Sequence, residues 1–400
     1  MDQKIEKFDV IIIGASLSGN YLANLLSNFR LKIAIIEEHQ EIGLPFQCAG
    51  IISKKLTQLI DLPENIILHQ VKVAKIFSPS GNFIILSGEE QPFVIDRVAL
   101  DKLFYHRIKN NNKIKYYLEE KFISFKYITE KYEKIVIIET NKRYLKSKIL
   151  VGCDGPLSSV SKILGIKNEI IFATQIRIKA DFDQNEAVIW FDPRWKELFG
   201  WVVPEGNKTY RIGLASSKNV ANNFQIFLNN IGLDFNERLD QQGGIIPYGI
   251  MHKSAFDNVL LLGDAAGQVK ATTGGGIIML LTASKYAASC IKKCFKNIEF
   301  SKKFIKKYYE KPCKATIGKQ LKMHFIIRTF FETLNGKDYD TLFQIVKTNK
   351  VEEIISLYGD MDFPRDMVIK LVKNSKFIKF IFRILRRKPV LIIKILKNLI

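Results

Sequence analysis

Three stretches of the chain combine residue types and spacings that can do chemistry. The first is GASLSG, residues 14 to 19, directly after the apolar run Val10-Ile11-Ile12-Ile13. Its spacing is that of the glycine turn that seats a dinucleotide pyrophosphate at a helix N-terminus. Gly14 makes the tight turn, position 16 lets backbone approach the phosphates, and Gly19 lets helix pack on strand. Ser16 occupies the middle position and adds a hydroxyl that can donate to phosphate. An acid ending the next strand completes the pattern by accepting ribose hydroxyls. Glu37, with Glu38 beside it, stands there.

The second stretch is NVLLLGDAAGQVKATTGGGI, residues 258 to 277. Asn258 to Leu262 reads as a buried strand, Gly263 turns, and Asp264 falls at the strand's carboxyl end, where ligands of open α/β sheets collect. A carboxylate there can bind the polyol of a ribityl chain. Thr272, Thr273, Gly274, Gly275 and Gly276 then open a long apolar helix at Ile277, so bare N–H groups and a positive dipole end converge on one spot. That spot suits the edge of an isoalloxazine that becomes negative on reduction; the bland alternative is a glycine-rich helix cap. In the third stretch Trp190, Trp195 and Trp201 fall within twelve residues, with Phe191 and Phe199 among them and Pro204 following. Such a cluster either walls an apolar tunnel and shelters positive charge or fills a sheet core.

These residues need elements to position them. Asp9 to Ile13, Leu17 to Asn28 and Leu31 to Glu37 read as strand, helix and strand, a βαβ unit. Residues 66–96 and 166–250 carry short β-branched and aromatic runs broken by Gly, Pro, Asn and Asp, and read as an antiparallel substrate sheet. It is inserted between the pieces 1–65, 97–165 and 251–300 of a discontinuous Rossmann-like α/β domain. Residues 301–400 read as helical. No internal repeat is found.

The formal charge of +21 points to an acidic partner, a phosphate-bearing substrate or an anionic membrane surface; no nucleic acid is expected. Residues 367–400 hold ten Lys or Arg and no acid, leaving +11 on the rest. In that tail Lys370, Lys373, Lys376, Lys379, Arg383 and Arg386 recur at helical steps opposite an apolar face, before Pro389 and the apolar VLIIKILKNLI. This is either a helix lying in a membrane interface or a terminal helix packed on the protein. Five scattered cysteines and five scattered histidines give no metal signature, and no apolar run is long enough to span a bilayer. A reducing cytoplasmic setting follows, peripheral at the inner face of the cell membrane if the tail binds there.

The order of Gly14 to Gly19 with Glu37, RVALDKL (Arg97, Asp101), VGCDGPLSSV (Asp154, Gly155), GDAAG and TTGGG resembles flavoproteins of the para-hydroxybenzoate hydroxylase type. GLPFQCAGIIS (43–53) and FGWVVPEG (199–206) are similar to the geranylgeranyl reductase family within it. The resemblance covers about residues 8 to 300 and implies FAD, with Cys48 and Ala49 facing the flavin. Three stretches depart from the pattern. Ser16 replaces a glycine, Ala271 stands where proline is usual, and Phe199-Gly200-Trp201-Val202-Val203-Pro204 replaces Tyr-x-Trp-x-Phe-Pro.

The expected activity is hydrogenation of C=C bonds in geranylgeranyl chains of isoprenoid phosphates or ether lipids. Cys48 is the candidate proton source, or else a small space-filler. Electrons would come from NAD(P)H or from an acidic ferredoxin-like carrier, since no second glycine fingerprint supplies a nicotinamide domain. A monooxygenase of the same fold and a flavin electron carrier are the competing readings.

Overall fold

The computed structural model describes residues 5–88, 91–349 and 351–389. Strands Glu6–Ile13, Ile33–Ile36, Ile114–Tyr117, Tyr144–Gly152 and Val259–Leu261 form the parallel part of an eight-stranded sheet. Val10 to Ile13 are β-branched throughout and buried, as a strand covered on both faces requires. Val10 and Ile12 face one layer, where they pack with Leu22 and Leu26 of α1 (Leu17–Leu26); Ile11 and Ile13 face Phe122, Phe125 and Val136. A further helix, α2 (Arg97–Ile108), packs against α1. The strand Glu6–Ile13 lies between Ile33–Ile36 and Tyr144–Gly152, and a crevice opens at the carboxyl ends where the strand order reverses.

The second sheet has seven strands in the order Arg238–Tyr248, Glu169–Lys179, Thr209–Ser216, Gly200–Gly206, Glu186–Trp190, Val73–Phe77, Phe83–Leu86. Its pairs are antiparallel except Glu186–Trp190 with Val73–Phe77, which are parallel. This differs from a wholly antiparallel reading: the two strands come from separate insertions, so no hairpin turn reverses one against the other. One face packs Val202, Ile212 and Leu214 against Phe224 and Phe227 of α3 (Val220–Asn230). The other carries Ala187, Trp201 and Val203.

Helix α4 (Ile277–Asn297) runs back along the first domain, and the chain then stays helical. The later helices are α5 (Lys319–Phe331), α6 (Gly336–Thr348), α7 (Val351–Tyr358), α8 (Arg365–Leu371) and α9 (Ser375–Arg387). α9 is the basic amphipathic segment of the sequence. Its apolar stripe does not lie free for a membrane: Phe380 and Ile384 are buried with Leu334, Tyr339 and Phe343, and Phe380 meets the Phe330 ring edge-on. The tail's last apolar run, 390–400, lies outside the described residues. Among the described residues no helix is long and apolar enough to cross a membrane, and no group of three or more His, Cys, Asp or Glu is placed to hold a metal ion.

Candidate active site

The crevice is built first by its glycines. Gly14 has φ +100°, and a Cβ there would come 2.4 Å from the Cys153 carbonyl oxygen; a Cβ on Gly19 would come 2.0 Å from the Gly14 oxygen. Neither position admits a side chain, and the turn they make leaves the N-terminus of α1 bare. Ser16, exposed at the N-cap, makes no side-chain cap bond, so its hydroxyl is available to a ligand. Glu37 fixes the turn from the next strand: one carboxylate oxygen accepts the Ala15 N–H at 2.7 Å and the other accepts from His39 N at 3.0 Å. The oxygen facing His39 also meets its Nδ1 at 2.6 Å, so, with two acceptor positions per oxygen, the one on Ala15 keeps a position open for a ribose hydroxyl. Glu38 instead turns to solvent and pairs with Lys121 at 3.4 Å.

Across the crevice, Gly263 (φ +69°) ends the strand and presents Asp264. The Asp264 carboxyl accepts no hydrogen bond from the described residues, and burial pushes its pKa up to about 6 although the Arg97 charge pulls it down. An acid so placed lacks donors that a polyol would supply. Arg97 is held by Asp101, with which it makes a short ion pair. Burial works against its charge, but Asp101, Cys48 and Asp264 outweigh it and raise the Arg97 pKa. Gly274 (φ +69°) and Gly275 shape the loop before α4, and Gly276 is its N-cap. A Cβ on Gly276 would sit 3.5 Å from Asp264 Oδ1, so the bare amides of Ile277's helix end and the acid share one hollow. Asp154 is committed elsewhere: it accepts from Ser158 Oγ at 2.6 Å and Val160 N at 3.1 Å, bracing the turn at Gly155. The glycine cradle, the donor-starved Asp264 and the helix ends fit a flavin adenine dinucleotide.

A cavity of about 410 Å³ leads from this hollow. Cys48, Ala49, Thr273, Gly274 and Gly275 line it where it meets the crevice residues; Phe199, Trp201 and Val203 line it from the second sheet; Ile355, Met361 and Met367 line it from the C-terminal helices. Its walls are mostly apolar. The Trp201 Nε1–H donates to Gln175 Oε1 at 2.9 Å, and Gln175 Nε2 donates to the Cys48 carbonyl at 3.2 Å, so the tryptophan sets the loop that carries the thiol. Arg211 reinforces it, donating to the Ala49 and Ile95 carbonyls. The Gly50 N–H donates to Cys48 Sγ at 3.3 Å.

Trp190 and Pro204 do not line the cavity. Ile189 pairs with Trp201, so Trp190, one residue on, points to the opposite face, stacked on Phe77 at 4.6 Å and edge-on to Phe227. Trp195 is buried on that face too, and Pro204 is buried opposite Tyr210.

Other residues hold the site without any sequence motif. Lys270 forms a buried ion pair with Asp362 at 2.6 Å, and Ser53 Oγ donates to the same carboxylate at 2.6 Å. His324 bonds Thr272 Oγ1 at 2.6 Å and the Asp362 carbonyl at 3.0 Å, and burial, with Lys270 nearby, drops its pKa to about 4. Arg328, buried, donates to the carbonyls of Ala271, Thr272, Lys196 and Leu198. Gln268 accepts the Gly263 N–H at 2.8 Å and is itself held by Tyr309. The C-terminal helices thus fasten the whole loop from Gly263 to Gly275.

No described protein family matches the chain as a profile. An uncharacterized protein of Methanocaldococcus jannaschii is 31% identical over 399 residues, taking in 95% of this chain and 98% of that one. The digeranylgeranylglycerophospholipid reductase 1 of Methanococcoides burtonii is 25% identical over 394 residues, 93% of each chain. A geranylgeranyl bacteriochlorophyll reductase-like protein of Thermoplasma acidophilum has the same fold, with a TM-score of 0.80 over 97% of this chain and 100% of that one at 22% identity. A halogenase solved in complex with FAD superposes with a TM-score of 0.65 over 91% and 85% at 13% identity.

Proposed function

We propose that this chain, similar along its length to digeranylgeranylglycerophospholipid reductases, is a flavin-dependent oxidoreductase of the geranylgeranyl reductase family that binds FAD in the crevice and hydrogenates isolated C=C bonds of geranylgeranyl chains on an ether lipid or isoprenoid phosphate. One observation carries the reading: the cavity touches both Cys48 and the Gly274–Gly275 loop at one end and is apolar along most of its remaining wall. An isoprenoid chain offers almost no hydrogen-bonding handles, so its recognition rests on apolar burial in such a space.

FAD, when bound and reduced, supplies the hydride. The chain's own residues do the rest. Gly14, Ser16, Gly19 and the N-terminus of α1 take the pyrophosphate, Glu37 the adenosine ribose, and Asp264 the ribityl hydroxyls. The amides at the start of α4 favour negative charge beside them. Trp201, Phe199 and Val203 keep water from the reacting carbon. Cys48 Sγ, on the cavity wall, is the proton source within reach, and the Gln175–Trp201 relay holds its loop in place.

The test is an anaerobic turnover of the chemically reduced protein with an unsaturated geranylgeranyl ether phospholipid, read by mass spectrometry. Products that gain hydrogen pairs as the flavin reoxidises support the reading. If the lipid stays unchanged and the flavin stays reduced, while air yields a hydroxylated product, the reading falls in favour of a monooxygenase.

A further inference from the structure

The cavity wall made by α7 and α8 has an outer side. On α7, Ile355 and Ser356 line the cavity, whereas Leu357 and Tyr358, next in sequence, are exposed, Leu357 at 71%. On α8, Met367 lines the cavity while Ile369, and Val372 just beyond the helix, are exposed. Phe382 of α9 is 64% exposed on the side away from the buried Phe380 and Ile384. Lys370 Nζ lies 4.8 Å over the Tyr358 ring, which ties the exposed end of α7 to α8.

Charge singles this side out. Residues 365–388 contain nine Lys or Arg and one acid, Asp366; the outer side of α7 adds one exposed acid, Glu353, a turn before Leu357. Among the described residues only Arg387 of the nine has a carboxylate partner, Asp338. Lys370, Lys373, Lys376, Lys379, Arg383 and Arg386 are all exposed. Exposed apolar residues standing singly need no explanation. Here Leu357, Ile369 and Val372 stand on the outside of the wall whose inside is the apolar cavity, and Phe382 stands among the unpaired cations of the helix that follows. A protein partner of lasting affinity needs about 800 Å² of contiguous, shape-complementary surface. Separate apolar tips ringed by cations instead match a lipid interface, where each tip enters the acyl boundary and each cation meets a phosphate.

We infer that the outer face of α7, α8 and α9 docks on an anionic lipid bilayer, with Leu357, Ile369, Val372 and Phe382 inserted and the surrounding lysines and arginines against the headgroup phosphates. The inference goes beyond the reductase reading and stands or falls without it, because its test measures partition and no turnover.

The experiment is sedimentation of the full-length, flavin-loaded protein with vesicles of phosphatidylglycerol and phosphatidylcholine, and with phosphatidylcholine alone, at about 0.15 M salt. Three variants accompany it: K370E/K373E/K376E on the proposed face, L357S/V372S for its apolar tips, and K292E/K293E/K296E. The last lies on a second basic cleft between α1 and α4 and controls for the overall charge. Unchanged flavin spectra and circular dichroism certify folding. The wild type and the cleft variant are expected to bind the anionic vesicles, the face variant to lose on the order of 100-fold in partition, and L357S/V372S to lose its binding first as salt is raised. Failure of the wild type to bind anionic vesicles overturns the inference, as does equal loss in the cleft and face variants. Capture of an acidic protein by this face in place of vesicles would overturn it in favour of a protein partner.

Discussion

Lys270 and Asp362 meet at 2.6 Å, 92 residues apart in sequence, one from the loop that opens α4 and the other from the loop that joins α7 to α8. The first loop belongs to the crevice at the carboxyl ends of the parallel strands and the second to the wall of the cavity, so the ion pair ties the two together. Both side chains are nearly inaccessible to water. Breaking such a pair from one side leaves a buried uncompensated charge, whereas removing both partners does not.

Asp362→Asn is therefore expected to destabilise the protein by about 3–5 kcal/mol and to shed flavin. The double change Lys270→Met with Asp362→Leu, which keeps bulk and removes charge, is expected to recover most of that stability. Urea unfolding of the three proteins reads the difference, and equal losses in the single and double variants would remove the ion pair from the account.

The glycine turn separates space from chemistry. Gly19→Ala sets a methyl against the Gly14 oxygen, and purified protein should carry little flavin by its visible absorbance. Ser16→Gly opens nothing that is closed, since Ser16 is already exposed and caps nothing, and should leave flavin content near wild type.

The two tryptophans on opposite faces should behave oppositely. Trp201→Phe strips the donor from Gln175 Oε1 in a buried setting, at about 1–3 kcal/mol of stability, and loosens the loop bearing Cys48. A fall of about tenfold or more in kcat/KM for the lipid corresponds to a loss of roughly 1.4 kcal/mol in the transition state. Trp190→Phe removes an indole N–H that is buried without a partner, so stability should hold or rise slightly and kcat/KM should not move.

Two groups, the half-buried Asp264 and the buried His324, give opposite pH dependences. The Asp264 carboxyl, at about 6 in the fold against an ordinary 3.8, costs nothing while protonated. Its penalty grows as pH rises from about 4 to 6, reaching about 3 kcal/mol. Asp264→Asn should thus stabilise the flavin-free protein at neutral pH while weakening flavin binding. His324, lowered to about 4 from 6.5, is held neutral, so its contribution is intact above pH 6.5 and is lost as pH falls toward 4. His324→Gln should flatten that acid-side loss. Unfolding of flavin-free protein across this range tests both signs.

Much of the crevice was legible because it is local. Gly14, Gly19 and Glu37 sit within a single strand–turn–helix–strand unit, and Asp264 and Gly274 to Gly276 within one strand–loop–helix step, where hydrophobic period and turn chemistry speak directly. The aromatic cluster was legible only as composition. Whether Trp190 or Trp201 faces the cavity depends on the parity of two strands, and a one-residue difference in register exchanges the faces. Lys270, His324, Arg328 and Asp362 carried no signal of partnership. Charged residues in loops and on helices alike read as solvated, and only Arg328, set within the apolar run FIIRTFF, hints at burial. The amphipathic pattern of α9 was real, but sequence gives no means of choosing between a bilayer and α6 as the occupant of its apolar stripe.

The order in which the ribosome releases this chain adds a constraint of its own. Gly14 emerges early, yet the strand Val259–Leu261 that completes the parallel sheet comes some 245 residues later, and Asp362, which secures the loop before α4, another hundred after that. At about 5–20 residues per second the nascent βαβ unit waits for tens of seconds for the sheet to be completed, and for roughly the last 5–20 seconds of that time Tyr144–Gly152 lacks its neighbour. During synthesis that open edge is the place where a chaperone has most to protect, and the crevice between the first strand and the loop before α4 closes only as translation ends.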